Sequence, residues 1–172
     1  IHSEDLLNTK FILDVCKSRK IVMIGIGGAR RKEIIEIVNQ LIIHEPLSKI
    51  VLITGVQTFP TPIDAHSINE VSDLISKYEQ CNVKVGFSDH VDGGLKEAFV
   101  LPVMAFSAGA SIVEKHITLD RKDKWIDYHS ALSFNDFKSF IKQTKLLCGL
   151  LNNVGSMNDY ENSYRKMFKK SP

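Results

Sequence analysis

Uninterrupted apolar runs recur along the chain, and each is followed by a segment with helical spacing. The runs span residues 21–24, 50–53, 83–87 and 111–113. A strand that is buried on both faces of a parallel sheet shows such a run, whereas a half-exposed strand alternates polar and apolar residues. We therefore predict four parallel strands.

Helices are predicted where apolar residues recur three or four positions apart. They span residues 6–16, 31–43, 68–78, 95–107 and 134–151. Ser133 is the expected N-cap of the last helix, and Asp136 completes an imperfect capping box. Strands that alternate with helices indicate an α/β fold. A doubly wound sheet and a (β/α)8 TIM-type barrel both fit this order, and four strand–helix units would make half of such a barrel.

The chain is predicted to hold one folded unit, residues 1–152, followed by a linker, residues 153–172. The second segment is rich in glycine, asparagine, serine and basic residues, which favours a connecting segment. Because the chain opens with Ile1 rather than methionine, we expect it to be part of a longer protein.

Composition argues against two classes of partner. A formal net charge of +2 gives no reason to expect nucleic acid. No apolar run reaches the roughly 18 residues that a membrane-spanning helix needs, so no contact with a membrane is predicted. Cys16, Cys81 and Cys148 form no C-x-x-C pair, and such isolated cysteines favour reduced thiols and a cytoplasmic location.

Polar residues and glycines follow each apolar run at the point where the strand would end. These segments are residues 25–28 (GIGG), 54–57 (TGVQ), 88–90 (SDH) and 114–116 (EKH). The carboxyl ends of barrel strands form a single face, and the active sites of barrel enzymes lie on that face. We therefore expect side chains that are distant in sequence to converge there.

His90 and His116 are the sharpest candidate pair, since each comes just after a predicted strand. On neighbouring strands, both imidazoles could reach one metal ion. Neutral imidazole suits Mn²⁺, Fe²⁺, Zn²⁺ or Co²⁺, whereas Mg²⁺ prefers oxygen ligands. The alternative is that each ring only forms a hydrogen bond with a neighbouring loop.

Other residues at this face allow both a structural and a functional interpretation. Asp89 and Asp127 either hold a ligand or cap a turn. The glycines of residues 25–28 either form an ordinary turn or leave backbone N–H groups free to bind an anion at the start of the next helix. Lys115 is interpreted as a surface charge or as a charge behind the site.

Several motifs carry a family resemblance. Residues 86–90 (GFSDH), 108–121 (AGASIVEKHITLDR) and 127–132 (DYHSAL) resemble successive segments of the N-acetylneuraminate (sialic acid) synthase family. Weaker matches are residues 1–6 (IHSEDL), 59–62 (FPTP) and 164–171 (YRKMFKKS). The resemblance implies a (β/α)8 barrel, of which this chain would supply roughly strands 5–8 and their helices.

The resemblance also implies a reaction and a metal. In the family, carbon 3 of phosphoenolpyruvate attacks the aldehyde of an open-chain N-acyl amino sugar, either N-acetylmannosamine or a related diacetamido sugar. Phosphate leaves, and the nonulosonic acid product enters surface polysaccharide biosynthesis. The two motif histidines bind a divalent metal and match His90 and His116. We expect Mn²⁺, with Mg²⁺ or Co²⁺ as alternatives.

Further residues match family positions with assigned roles. Asp5 matches an acidic residue that contacts the sugar or a water, and we assign it a catalytic role together with the two histidines. The residues at substrate-binding positions are Ser3 and Ser88 for phosphoenolpyruvate, Asp127 for the sugar hydroxyls, and Gln57 and Phe59 at the ligand face.

The chain departs from the family pattern at this ligand face. Residues 25–28 replace S-T-G-M, so a phosphate-binding hydroxyl is missing, although backbone N–H groups could substitute for it. Gln57 replaces an asparagine or serine, Phe59 replaces a tyrosine, and residues 124–126 (KWI) replace P-G-P. Two alternatives therefore stay open: another metal-dependent barrel enzyme, such as an aldolase or a deoxy-sugar acid synthase, and a non-catalytic homologue.

The family's first barrel strands and its small C-terminal domain have no match in these residues. In the family, that last domain reaches into the active site of a partner subunit. The resemblance therefore implies a homodimer for the complete protein, and we expect this chain alone to be inactive.

Overall fold

A four-stranded parallel sheet organises the chain. The computed structural model describes residues 1–18, 20–44, 49–151, 155 and 158–168. The strands are β1 (Val22–Gly25), β2 (Ile50–Thr54), β3 (Lys84–Asp89) and β4 (Ile112–Lys115), and they lie side by side in chain order. All three pairings between neighbours are parallel. The four predicted parallel strands are thus confirmed. Each strand lies next to the strand that follows it in the chain, as in half of a (β/α)8 barrel.

Helices separate the strands, as the apolar spacing predicts. They are α1 (Thr9–Cys16), α2 (Arg31–His44), α3 (Asn69–Tyr78), α4 (Glu97–Ser107), α5 (Phe134–Leu150) and α6 (Asp159–Phe168). Ser133 caps α5 as expected, since its Oγ accepts a hydrogen bond from the Asp136 N–H. Within the described ranges, no helix is long and apolar enough to span a bilayer.

The first helix begins later than predicted. Residues Ser3–Asp5 form a 3-10 turn, and α1 starts only at Thr9 because the Asn8 side chain caps the Phe11 N–H. Ahead of this turn, the Ile1 amino group donates to the Met23 carbonyl, and the Ile1 carbonyl accepts from the Gly25 N–H. This is the bonding pattern of a parallel strand pair, and it places Ser3 beside the end of β1.

The sheet divides its side chains between two environments. Alternate residues of each strand face opposite sides, and one set packs with the helices in the main hydrophobic core, namely Val22, Ile24, Ile50, Leu52, Val85 and Phe87. The other set, which includes Met23, Ile53, Ser88 and Glu114, lines a cleft on the opposite face. The helices therefore cover one face of the sheet, and the cleft with the candidate site residues lies on the other face.

A buried ion pair joins the ends of β3 and β4 on the helix side. Asp89 and Lys115 are register partners, and the Lys115 Nζ lies 2.7 Å from the Asp89 carboxylate with both side chains almost fully buried. Burial lowers the pKa of the Lys115 ammonium, and the Asp89 charge opposes that shift. The interpretation of Lys115 as a surface charge is therefore wrong, and it is a charge behind the site.

Two elements were not predicted. A small parallel sheet pairs β5 (Ile117–Thr118) with β6 (Leu132–Ser133). In the predicted linker, α6 is helical because Asn158 and Glu161 cap each other's backbone N–H groups. Residues 152–154, 156–157 and 169–172 of that segment lie outside the described residues.

Replacing Lys115 with alanine is expected to lower the free energy of unfolding by about 3–5 kcal/mol, because the Asp89 carboxylate would stay buried without its cation. Lys10→Ala is the matched control, since Lys10 forms its ion pair with Asp14 at the surface, where the Lys10 side chain is 89% exposed. The control should change stability far less. Chemical denaturation of the complete protein measures both, and equal losses would contradict a stabilising role for the buried pair.

Candidate functional site

A cleft of about 410 Å³ lies at the carboxyl ends of the strands. The predicted site residues that line it are Ser3, Gln57, Phe59, Ser88, His90, His116 and Asp127. Asp5 is not among the lining residues; it is exposed in the turn that precedes α1. Of the residues assigned to the site, Asp5 alone is absent from this cleft, and the candidate Asp89 lies on the helix side in its ion pair with Lys115.

His90 is fixed in orientation by the backbone. Its Nδ1 lies 2.6 Å from the Val56 carbonyl oxygen, and since a carbonyl only accepts, Nδ1 carries the proton. Burial lowers the pKa of His90 below its ordinary value, which favours the neutral ring. In this tautomer the Nε2 atom has a free lone pair directed toward the cleft residue Ser88.

Ser88 stands between two acceptors. Its Oγ lies 3.0 Å from the His90 Nε2 and 2.8 Å from a Glu114 carboxylate oxygen. A hydroxyl has one proton to donate, and the charged carboxylate is the stronger acceptor. When Ser88 donates to Glu114, the Nε2 lone pair of His90 is left available for a ligand.

His116 lies on the neighbouring strand, close to His90. The two ring centroids are 5.2 Å apart, and the Phe59 ring lies against both, at 4.4 Å from His90 and 5.5 Å from His116. Phe59 thus covers the imidazole pair with an apolar surface where the family usually has a tyrosine. Its missing hydroxyl leaves this side of the pair without a hydrogen-bond donor.

The imidazole pair fits a divalent metal as two of its ligands. The Val56 carbonyl orients His90 in the way that outer hydrogen bonds commonly orient metal-binding histidines. In the part of the chain that the structure describes, no group of three or more histidine, cysteine or acidic side chains could hold a metal. Any metal held here would complete its coordination with water, substrate or other ligands.

Glu114 is a site residue that the sequence reasoning missed. It lines the cleft and accepts the Ser88 hydroxyl. The signal was present, because Glu114 and His116 are two residues apart on a strand and so face the same side. The same rule sends Lys115 to the helix side.

The glycines after β1 serve close packing. A Cβ atom added at Gly27 would lie 2.2 Å from the Gly55 carbonyl oxygen, and one at Gly25 would lie 2.9 Å from the Ser3 nitrogen. The glycines therefore let the strand ends and residues 1–3 approach each other. At the start of α2, the Arg30 N–H donates to the Glu33 carboxylate, so this N–H is not free to bind an anion.

Asp127 reaches the cleft from a tethered loop. It adopts a left-handed backbone conformation, with φ of 60°, and its carbonyl accepts from the Ser130 N–H. The buried Ser130 hydroxyl donates to the His90 carbonyl at 2.7 Å. Asp127 is therefore both a turn residue and a cleft residue.

A second tether joins this loop to the segment after His90. Arg121 pairs with Asp92 at 2.6 Å. Burial alone would raise the pKa of Asp92, yet the pKa lies below its ordinary value because the Gly94 N–H and Arg121 both donate to the carboxylate. The Asp92 carboxylate is thus held as an anion against Arg121.

A parallel sheet backed by helices, with polar residues gathered at the carboxyl ends of its strands, is the arrangement of a TIM-type barrel enzyme. The NeuB family model matches residues 1–155, and the chain belongs to the NeuB family.

Named relatives agree with this assignment. The chain is 30% identical over 141 residues to the pseudaminic acid synthase of Campylobacter jejuni, covering 82% of this chain and 38% of that protein. It is 25% identical over 146 residues to the N,N'-diacetyllegionaminic acid synthase of the same species, covering 84% of this chain and 41% of that protein. The chain thus spans about two fifths of the length of these relatives.

Solved structures share the fold. The N-acetylneuraminic acid synthetase of Leptospira borgpetersenii, solved in complex with citrate, superimposes with a TM-score of 0.80 at 24% identity. The match covers 99% of this chain and 58% of that one. At this identity, the likeness establishes the common fold.

Ser130→Ala is expected to lower the free energy of unfolding by about 1 kcal/mol, because the buried His90 carbonyl loses one of its two donors and keeps the Thr61 N–H. Ser72→Ala is the control, since the Ser72 hydroxyl donates to the Asn69 carbonyl on the exposed surface of α3. Its effect should stay within about 0.5 kcal/mol. Thermal and chemical unfolding give both values, and a neutral Ser130→Ala would show that the loop tether is not needed for stability.

Proposed function

We propose that the complete protein condenses phosphoenolpyruvate with an N-acyl amino sugar to give a nonulosonic acid and phosphate. The observation that carries the proposal is the convergence of Ser88, His90, Glu114, His116 and Asp127 on one cleft of a NeuB-family chain. Under this proposal, the four strands of the sheet are strands 5–8 of the (β/α)8 barrel, and the product supplies surface polysaccharide biosynthesis in the cytoplasm of the producing cell.

The metal has a defined place in this proposal. His90 and His116 would hold it, with Mn²⁺ expected and Mg²⁺ or Co²⁺ as alternatives. When bound, a divalent ion supplies Lewis-acid polarisation of an aldehyde oxygen and helps to orient the reactants. The neutral state of His90, which burial favours, suits this role because only the unprotonated Nε2 can act as a ligand.

The chain's own residues bind and orient the two substrates. Ser3 and Ser88 supply hydroxyl donors for the carboxylate and phosphate oxygens of phosphoenolpyruvate. Because the Ser88 hydroxyl has one proton, it must turn away from Glu114, which accepts it at 2.8 Å, in order to donate to phosphoenolpyruvate. Asp127 offers carboxylate oxygens, which can accept hydrogen bonds from the sugar hydroxyls.

The acceptor side of the cleft carries the departures from the family pattern. Gln57 and Phe59 lie there, and Phe59 brings an apolar ring beside the imidazole pair. The pseudaminic and legionaminic acid synthases among the relatives lead us to propose a diacetamido sugar as the acceptor, ahead of N-acetylmannosamine. Asp5 retains its proposed catalytic role only if the turn that carries it moves toward the cleft.

The remaining elements of the proposal concern the assembly. We propose a homodimer for the complete protein, in which strands and a C-terminal domain beyond these residues complete the site. A non-catalytic homologue is the alternative, and the same experiment separates the two.

Phosphate release from phosphoenolpyruvate by the complete protein, with Mn²⁺ and a panel of N-acyl sugars, tests the proposal. Release should need metal, sugar and His116, and His116→Ala should lower both Mn²⁺ affinity in calorimetry and the rate of release by at least about a hundredfold. His129→Ala is the matched control, because His129 is exposed and does not line the cleft.

Either of two results would count against the proposal. If no sugar supports phosphate release, while the protein is folded and loaded with Mn²⁺, the non-catalytic alternative gains support. If Mn²⁺ binds equally well to the wild type and to His116→Ala, the imidazole pair is not the metal site.

A further inference from the structure

We propose that Arg121 is a positioning residue that holds the segment 121–130 so that Asp127 faces the cleft, and thereby sets the affinity for the acceptor sugar. This inference rests on the proposed function, in which Asp127 binds sugar hydroxyls. The contacts of Arg121 do not depend on that function, because they join the start and the end of the segment 121–130, which we call the loop.

The Arg121 guanidinium acts as a fork that contacts Asp92, in the segment after His90, and two backbone carbonyls at the end of the loop. Nη2 donates to the Asp92 carboxylate at 2.6 Å and to the His129 carbonyl at 3.1 Å. Nε donates to the Tyr128 carbonyl at 3.3 Å. A Cβ atom added at Gly94 would lie 2.6 Å from Nη1, so the glycine there leaves room for the fork.

These contacts close a loop around Asp127. The chain leaves Arg121, passes Lys124 and Asp127, which both have left-handed backbone conformations, and returns to the carbonyls of Tyr128 and His129 that Arg121 binds. L residues rarely adopt this conformation without support from their surroundings. The fork supplies such support on one side of Asp127.

The tip of the loop gains little from hydrophobic burial. Its two large apolar residues, Trp125 and Ile126, are 70% and 92% exposed. Hydrophobic stabilisation requires removal of apolar surface from water, which these side chains do not achieve. The polar tethers of the loop include the Arg121 fork, the Gly93 N–H bonded to the His129 carbonyl and the Ser130 hydroxyl bonded to the His90 carbonyl.

Lysine cannot reproduce the fork. An ammonium is a point charge on a flexible stem, whereas the planar guanidinium donates in several fixed directions at once. Arg121→Lys therefore keeps the charge facing Asp92 but loses the simultaneous contacts with the Tyr128 and His129 carbonyls. This makes it the informative variant, because it separates positioning from charge.

The first test is steady-state kinetics of the complete protein. Arg121→Lys should raise the KM for the acceptor sugar by roughly ten- to a hundredfold through misplacement of Asp127, while the KM for phosphoenolpyruvate stays within about twofold of wild type. Lys122→Ala is the matched control, since Lys122 is the adjacent exposed cation and its backbone N–H, which the substitution keeps, donates to the Asp120 carboxylate. That control should leave both constants unchanged.

A double-mutant cycle identifies Asp127 as the group through which Arg121 acts. Arg121→Lys should add little to the acceptor KM of an Asp127→Ala protein, because the positioned carboxylate is already gone. Additive effects, or a parallel rise in both KM values together with a loss of thermal stability, would assign Arg121 a general structural role and overturn the proposal.

Trp125 provides a readout that does not need activity. It is the only tryptophan of this chain, so the fluorescence difference between the complete protein and its Trp125→Phe variant reports on the loop. Arg121→Lys should lower the anisotropy of that signal and make it easier to quench with acrylamide. An unchanged signal would overturn the proposal. If the signal changes but the wild-type protein is inactive with every sugar, the Arg121 fork is confirmed as the support of the loop and the proposed function is refuted.

Discussion

The parallel register of β3 against β4 is the constraint on which the rest of the site depends. It pairs Ser88 with Glu114 and Asp89 with Lys115. Because successive residues of a strand face opposite sides, one pair is directed to the cleft and the other to the helices. A shift of one residue would bury the site pair among the helices and place the ion pair in the cleft. The shift is disfavoured because it would also move Val85 and Phe87 out of the main hydrophobic core.

The cleft depends on this register for its chemistry. Ser88 can reach Glu114 and His90 together only because all three lie on the same side of neighbouring strand ends. The Val56 carbonyl then fixes which nitrogen of His90 carries the proton. A single backbone hydrogen bond therefore determines that the Nε2 lone pair of His90 faces the cleft.

The sequence predicted the features that leave a repeated pattern over several residues, and it missed those that are too short or too irregular to leave one. The strands were found because burial on both faces leaves apolar runs, and the cleft followed from where those runs end. The β5–β6 sheet was missed because two-residue strands are too short to show a period. Helix α6 was missed although Asn158 and Glu161 form a recognisable cap, since its tyrosines and charges hide the apolar spacing. Asp5 was placed by family resemblance alone, and no local pattern indicated the turn that exposes it.

Gly25 connects the family pattern with the fold in one further way. The residue stands where the family usually has a serine, and the backbone of residues 1–3 has closed over the space a side chain would need. A serine restored at this position would meet the Ser3 backbone, not open solvent. A Gly25→Ser substitution would therefore require the backbone of residues 1–3 to shift, so this wall of the cleft is set by the main chain, whereas its other walls are set by side chains that can be exchanged.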